Sequence, residues 1–156
     1  MNRSEAENFM SVAIEEARKA LTADEVPVGA AVYKDDLLLS KAHNRSAADQ
    51  DMTAHAELIC MQEAAKKNGG RLENCTLFVT LEPCAMCFGA AVNLRLSTLI
   101  FGAYDPVSGV CGSACDLNGI GLKRIEVIGG VLEKECKELL FDFFSGKRCV
   151  NDGPSV

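Results

Sequence analysis

The chain has 156 residues, 48% of them hydrophobic and 24% charged, and a formal net charge of −6. That length and apolar content suit one compact domain with a sizeable core, and no stretch approaches the roughly 18 apolar residues of a membrane span. The acidic balance excludes a general polyanion binder, because nucleic-acid affinity draws most of its free energy from phosphate neutralisation by Lys and Arg.

Taken in chain order, MNRSEAENFM lacks the apolar run and small-residue cleavage site of a signal peptide, so a soluble, cytoplasmic protein is expected. Under reducing conditions the eight cysteines read as free thiols or metal ligands rather than a disulfide framework. Ser4 to Glu7 has the form of a capping box, and Met10, Ala13, Ile14, Ala17 and Leu21 follow at helical spacing. VGAAVY and LLLSKA flank Lys34-Asp35-Asp36, which predicts a β-hairpin. His43 to Met52 is polar and reads as a loop; Thr53 is a candidate cap for a helix running to about Lys67, stopped by Asn68-Gly69-Gly70. TLFVTL predicts a strand, and Pro83 suits the start of a helix continuing to about Arg95. TLIFG, IEVIG and a helix from about Leu132 to Phe144, closed by Gly146, complete the order α-β-β-α-β-α-β-β-α. Cys60, Cys75 and Cys136 fall in apolar patterns as small buried hydrophobes. No repeat or linker divides the chain, so one domain over residues 1–148 with a short tail at 149–156 is expected. Its fold class is α/β, a mixed sheet covered by helices on both faces.

LEPCAMC places Cys84 and Cys87 in the first turn of one helix, with both sulfurs on one face and the helix N-terminus favouring the thiolate. CxxC alone fits a redox pair equally well, but a redox pair has no use for TAHAEL, which sets His55 and Glu57 at the start of the preceding helix. Two helices that follow neighbouring strands of a parallel-type unit start at one sheet edge, where His55, Cys84 and Cys87 could converge. One nitrogen and two sulfurs suit Zn²⁺ with its fourth tetrahedral position open, the pattern of a catalytic site. His43 lies outside the spacing of a zinc finger. Glu57, two residues past His55, is the candidate proton carrier, taking a proton from an activated water and delivering it to a ring nitrogen and a leaving amine. The pair His-Ala-Glu and Pro-Cys-x-x-Cys is moreover a known signature of zinc nucleobase deaminases, a motif match that stands beside the physical argument.

On these residues the chain resembles the cytidine deaminase-like superfamily and within it is most similar to bacterial tRNA adenosine deaminases. The likeness runs from about residue 8 to 146 and is carried by EVPVGA, HNR, TAHAE, TLFVTLEPCAMCFGA, FGAYDPVSG and LLFDFF. It implies a three-layer α-β-α fold on a five-stranded sheet, one zinc ion per subunit and hydrolytic deamination. It further implies that Asn44 hydrogen-bonds the substrate, that Val28 and Ala54 line the base pocket, and that Asp105 contacts a flanking ribose or orders the loop over the site. The implied substrate is the wobble adenosine of a tRNA anticodon loop, and the implied assembly is a homodimer.

Departures from the family pattern fall where it touches RNA. Met52 replaces a proline before TAHAE, Tyr104 stands where arginine is frequent, DLNGIG is a short connection, and only Lys147 and Arg148 represent the basic tail. A folded RNA needs phosphate contacts whereas a free base needs a closed pocket, so a deaminase of a free guanine, adenine or cytosine is the alternative. A zinc-stabilised binding protein without turnover is the reading from another class. Cys111 and Cys115 form a second pair without a histidine and are read as core or interface thiols.

Overall fold

The structure, a computed structural model, describes residues 1–120 and 124–151. Among them the elements run α1 (Arg3–Thr22), β1 (Gly29–Lys34), β2 (Leu37–His43), α2 (Ala56–Lys67), β3 (Cys75–Leu81), α3 (Ala85–Asn93), β4 (Thr98–Ala103), β5 (Glu126–Gly129) and α4 (Glu133–Asn151), in the expected order.

Helix boundaries moved for identifiable reasons. Asn2 rather than Ser4 caps α1: its side chain accepts from the Glu5 amide at 2.9 Å, and the Glu5 carboxylate accepts from the Asn2 amide at 2.8 Å. The earlier frame lengthens the helix and frees Glu7 to pair with Arg3 at 2.9 Å, one turn away. Thr53 does not cap α2, because the Asp51 carboxylate takes both its amide and its hydroxyl, at 2.8 and 2.7 Å; His55 is the cap residue instead. Gly146 does not close α4, which passes through it to Asn151, so the boundary placed at 148 falls inside the helix. A glycine costs a helix about 1 kcal/mol, too little to end one whose neighbour Phe143 is buried. Of the tail at 149–156, residues 152–156 lie outside the described residues, as do Gly121 to Lys123 at the end of the DLNGIG connection.

The five strands form one mixed sheet in the order β2-β1-β3-β4-β5. β1 is antiparallel to both β2 and β3, while β3, β4 and β5 are parallel. Side chains alternate across the sheet as a strand requires. Ala30, Val32, Leu77, Val79, Leu99 and Phe101 pack against Ala56, Cys60, Phe88 and Ala91 of α2 and α3. Ala31, Tyr33, Phe78 and Ile100 pack against Met10, Ala13, Ile14, Cys136 and Leu139 of α1 and α4. This three-layer α-β-α arrangement explains why the central strands read as unbroken apolar runs. At Gly29 the approach is close enough that a Cβ would strike the backbone of Ala13 and Ala17 in α1, so only glycine fits.

The directions of the strands place the site. Helices α2 and α3 were expected to follow neighbouring strands, yet β1 lies between β2 and β3. Being antiparallel to both, β1 leaves them pointing the same way, so β2, β3 and β4 end at one sheet edge, where β1 begins.

Candidate active site

Four connections meet at that edge: the approach to β1, the loop from β2 to α2, the turn from β3 to α3 and the loop after β4. The first two helix-cap residues of the region are themselves functional candidates. His55 caps α2 and Cys84 caps α3, both with extended backbone, and neither spends its side chain on a capping bond. Cys87 follows in the first turn of α3, where the free amides of a helix start stabilise a thiolate.

The three candidate ligand atoms lie within 4.8 Å of one another. The Cys84 Sγ to His55 Nδ1 distance is 3.7 Å and that from Cys87 Sγ is 3.6 Å. A tetrahedral zinc with sulfur at about 2.3 Å and nitrogen at roughly 2.0–2.1 Å has a sulfur-to-nitrogen edge of about 3.6 Å, so the two measured edges fit that ion. Hydrogen bonds with Cys87 and His55 hold the Cys84 thiol down to about 3, already a thiolate. The same contact with Cys84, then burial and the nearby Glu57, pushes Cys87 far above the ordinary thiol range. Contact with Cys84 raises His55. One negative charge is thus already present on the sulfur pair, and a divalent cation supplies the force that removes the second proton.

Glu57 sits in the first turn of α2, 4% exposed, and burial pushes its carboxyl up to about 6. A carboxyl in that range can both take and return a proton near neutral pH. His55, Glu57 and Cys84 line a cavity of about 380 Å³ that also takes in Val28, Asn44 and Asp105. The structure therefore brings together seven of the eight residues singled out from sequence if Cys87, buried beneath the cavity, is counted with them. Ala54 is the exception: it is buried, its backbone bonded to Arg45 and Asp51, and it is not among the lining residues.

The polar candidates are held by partners that the sequence did not announce. Asn44 is 7% exposed and donates to the Glu25 carboxylate at 3.1 Å. Asp105 accepts from the amides of Val107 and Ser108 and from the Ser108 hydroxyl, the last at 2.6 Å. That loop is in turn seated on Glu82, 2% exposed, which accepts from the amides of Asp105, Cys111 and Ser113 at 3.0, 2.9 and 3.1 Å. Gly109 has to be glycine here, since a Cβ would come within 2.5 Å of the Glu82 carboxyl carbon. Glu25 and Glu82 were given no role from sequence. The available signal was an acidic residue embedded in an apolar strand end, in EVPVGA and in TLEPC.

His43 is committed elsewhere, with its Nδ1 3.1 Å from Glu16. Cys111 and Cys115 flank a tight turn closed by the Gly112 amide on the Cys115 carbonyl, not a helix face, and Cys115 is exposed rather than core. Among the described residues they join no metal-ligating group.

Comparison with known proteins bears on the chemistry. Residues 3–103 match the family model of the cytidine and deoxycytidylate deaminase zinc-binding region. The chain is 43% identical over 143 residues to a tRNA-specific adenosine deaminase of Bacillus subtilis strain 168, covering 88% of each chain. It superposes with a TM-score of 0.77 and 36% identity on a structure from studies of A-to-I editing by tRNA:A34 deaminases, covering 85% of this chain and 99% of that one. A guanine deaminase from Nitrosomonas europaea gives a TM-score of 0.76 at 25% identity, over 89% of this chain and 84% of that one.

Proposed function

The chain belongs to the cytidine and deoxycytidylate deaminase family and is a zinc-dependent deaminase, and we propose that its substrate is the wobble adenosine of a tRNA anticodon loop, converted to inosine. The observation that carries the chemistry is the convergence of His55, Cys84 and Cys87 at zinc-edge distances beside the buried Glu57. The identity to tRNA-acting relatives, higher than that to the guanine deaminase, supports the choice of substrate.

His55, Cys84 and Cys87 hold the zinc ion, which when bound supplies a Lewis acid that makes water a nucleophile at neutral pH. Glu57 takes one proton from the attacking water and passes it to the ring nitrogen, then carries the second proton of that water, from the added hydroxyl, to the departing amine. Water thereby adds at the amidine carbon, the carbon–nitrogen bond breaks, and inosine and ammonia are the products. Val28 packs on the base, Asn44 hydrogen-bonds the substrate, and Asp105 keeps the loop of residues 105–113 closed over the cavity. Ala54 acts through the backbone that carries His55. We take the deaminase domain as residues 1–148, with its last helix continuing to Asn151.

We place the protein in the cytoplasm as a homodimer. The cysteines among the described residues are all free thiols, which fits a reducing compartment, and no helix among them is long and apolar enough to cross a membrane. Helix α3 has no charged residue from Ala85 to Asn93, and it exposes Ala85 and Met86, a face suited to a second copy. Sedimentation at micromolar concentration is expected to give twice the chain mass, and Met86→Arg to give the chain mass; a monomeric wild type sinks the dimer.

The substrate is tested by ammonia release from the zinc-loaded protein, offered an anticodon stem-loop with wobble adenosine beside free bases and nucleosides, with Glu57→Ala as blank. Turnover confined to the stem-loop is expected. Turnover of a free base with the stem-loop untouched overturns the tRNA reading and leaves the deaminase chemistry standing.

A further inference from the structure

The cavity wall holds a hydrogen-bond chain that the deamination chemistry does not use. Glu25 is 3% exposed, and both its carboxylate oxygens are met by N–H donors. Asn44 Nδ2 donates to Oε2 at 3.1 Å and the Ala48 amide donates to Oε1 at 2.7 Å. Asn44 Oδ1 accepts from the Ser46 hydroxyl at 3.2 Å. Glu25, Asn44 and Ser46 all line the cavity.

A carboxylate only accepts, whereas a carboxamide has a donor end and an acceptor end of nearly equal shape. Glu25 therefore admits the NH₂ end of Asn44 and turns Oδ1 toward Ser46. Ser46 spends its one proton on that oxygen. What remains for a ligand is the second N–H of Asn44, a donor, and a lone pair on Ser46 Oγ, an acceptor. Were residue 25 a carboxamide, the Ala48 amide would hold its oxygen, its NH₂ would face Asn44, and Asn44 would have to turn its own oxygen toward it, so the pattern would be inverted.

We propose that Glu25 is a positioning residue that sets the hydrogen-bond polarity of the base pocket through Asn44 and Ser46. The site then selects a ligand with an acceptor atom, such as an unprotonated ring nitrogen or a ribose oxygen, against Asn44 and a donor against Ser46. This rests on the deaminase reading, in which Asn44 is a substrate contact.

The test compares zinc-loaded wild type, Glu25→Gln, Asn44→Ala and the double variant in ammonia release from the stem-loop, with zinc content and melting temperature measured on each. Glu25→Gln is expected to keep its zinc and lower kcat/KM roughly 10- to 100-fold, mostly through KM, as a mismatched buried polar contact would. In the Asn44→Ala background the same substitution should cost less than about twofold, because its route to the substrate is already gone. Equal losses in both backgrounds overturn the proposal and assign Glu25 to the Ala48 loop alone. Side-chain amide NMR of the free protein gives a second readout: the Asn44 NH₂ pair is slow to exchange in wild type and loses that protection in Glu25→Gln. Unchanged Asn44 signals also overturn it. If Glu25→Gln does not fold, Ser46→Ala probes the other end of the chain, and a KM that stays at the wild-type value is the contrary result. Should wild type turn over no substrate, the deaminase reading fails by itself, while the NMR comparison still decides whether Glu25 sets the amide.

Discussion

At the scale of single residues, the site separates groups that bind from groups that react. Cys87 and Glu57 are both buried and adjacent, yet their removal should have different signatures. Cys87→Ala removes one of three ligands and is expected to abolish stoichiometric zinc along with activity. Glu57→Ala should keep one zinc per chain and lose activity by about 10²- to 10⁴-fold, the usual worth of a general acid–base group. Metal analysis beside ammonia release decides it; loss of zinc from Glu57→Ala would make that residue a ligand. His55, Glu57, Cys84 and Cys87 were legible because ligand chemistry demands particular residue types at short spacings. Glu25 and Glu82 were not, because most of what they bind is backbone amide: Ala48 for the first, beside the Asn44 side chain, and Asp105, Cys111 and Ser113 for the second. Any residue but proline supplies an amide N–H, so no pattern in the sequence marks these partners.

At the scale of elements, the chain order of helices and strands was readable from periodicity, while their ends were decided by competition for hydrogen bonds. The capping box expected at Ser4 to Glu7 gave way to one of Asn2 with Glu5, and Thr53 lost its cap role to Asp51. The tie between α1 and β2 was equally hidden. Glu16, 4% exposed, meets Lys19 at 2.6 Å, Lys41 at 3.4 Å and His43 at 3.1 Å. Burial works to raise its carboxyl, but the hydrogen bonds from Lys19, His43 and Lys41 outweigh it and hold the group below its ordinary 4.5. A carboxyl lowered in the folded state contributes stability that is complete above its unfolded value and is lost as pH falls through the folded one. Glu16→Gln should therefore cost about 1–3 kcal/mol near pH 7 and progressively less below pH 4.5. Urea unfolding of both proteins across pH 3 to 7, at about 25 °C, checks this; a gap that widens in acid contradicts it.

At the scale of the whole molecule, a net charge of −6 has to be reconciled with the proposed RNA substrate. Among the described residues the cavity wall carries one lysine, Lys147, itself 3.4 Å from Asp24, and nearby Arg45 is paired with Asp49 at 2.8 Å. With Lys147 and Arg45 as the described cations at the mouth, log kcat/KM for the stem-loop should fall against log salt with a slope of about −1 to −2, each single-strand phosphate contact contributing roughly −0.7. A slope several times steeper would mean that cations beyond these two reach the RNA. The amino-acid sequence by itself determined the α/β class, the order of the elements, and the candidate zinc ligands and proton carrier, because hydrophobic period and ligand chemistry are local properties of a chain. Only the tertiary structure decided that β1 lies between β2 and β3 and, by opposing both, turns their ends to one edge. It alone decided that Glu25 and Glu82 seat the two loops that wall the cavity. Apart from the β1–β2 hairpin itself, those are relations between residues 19 to 49 positions apart, set by strand pairing and by the need of buried carboxylates for donors.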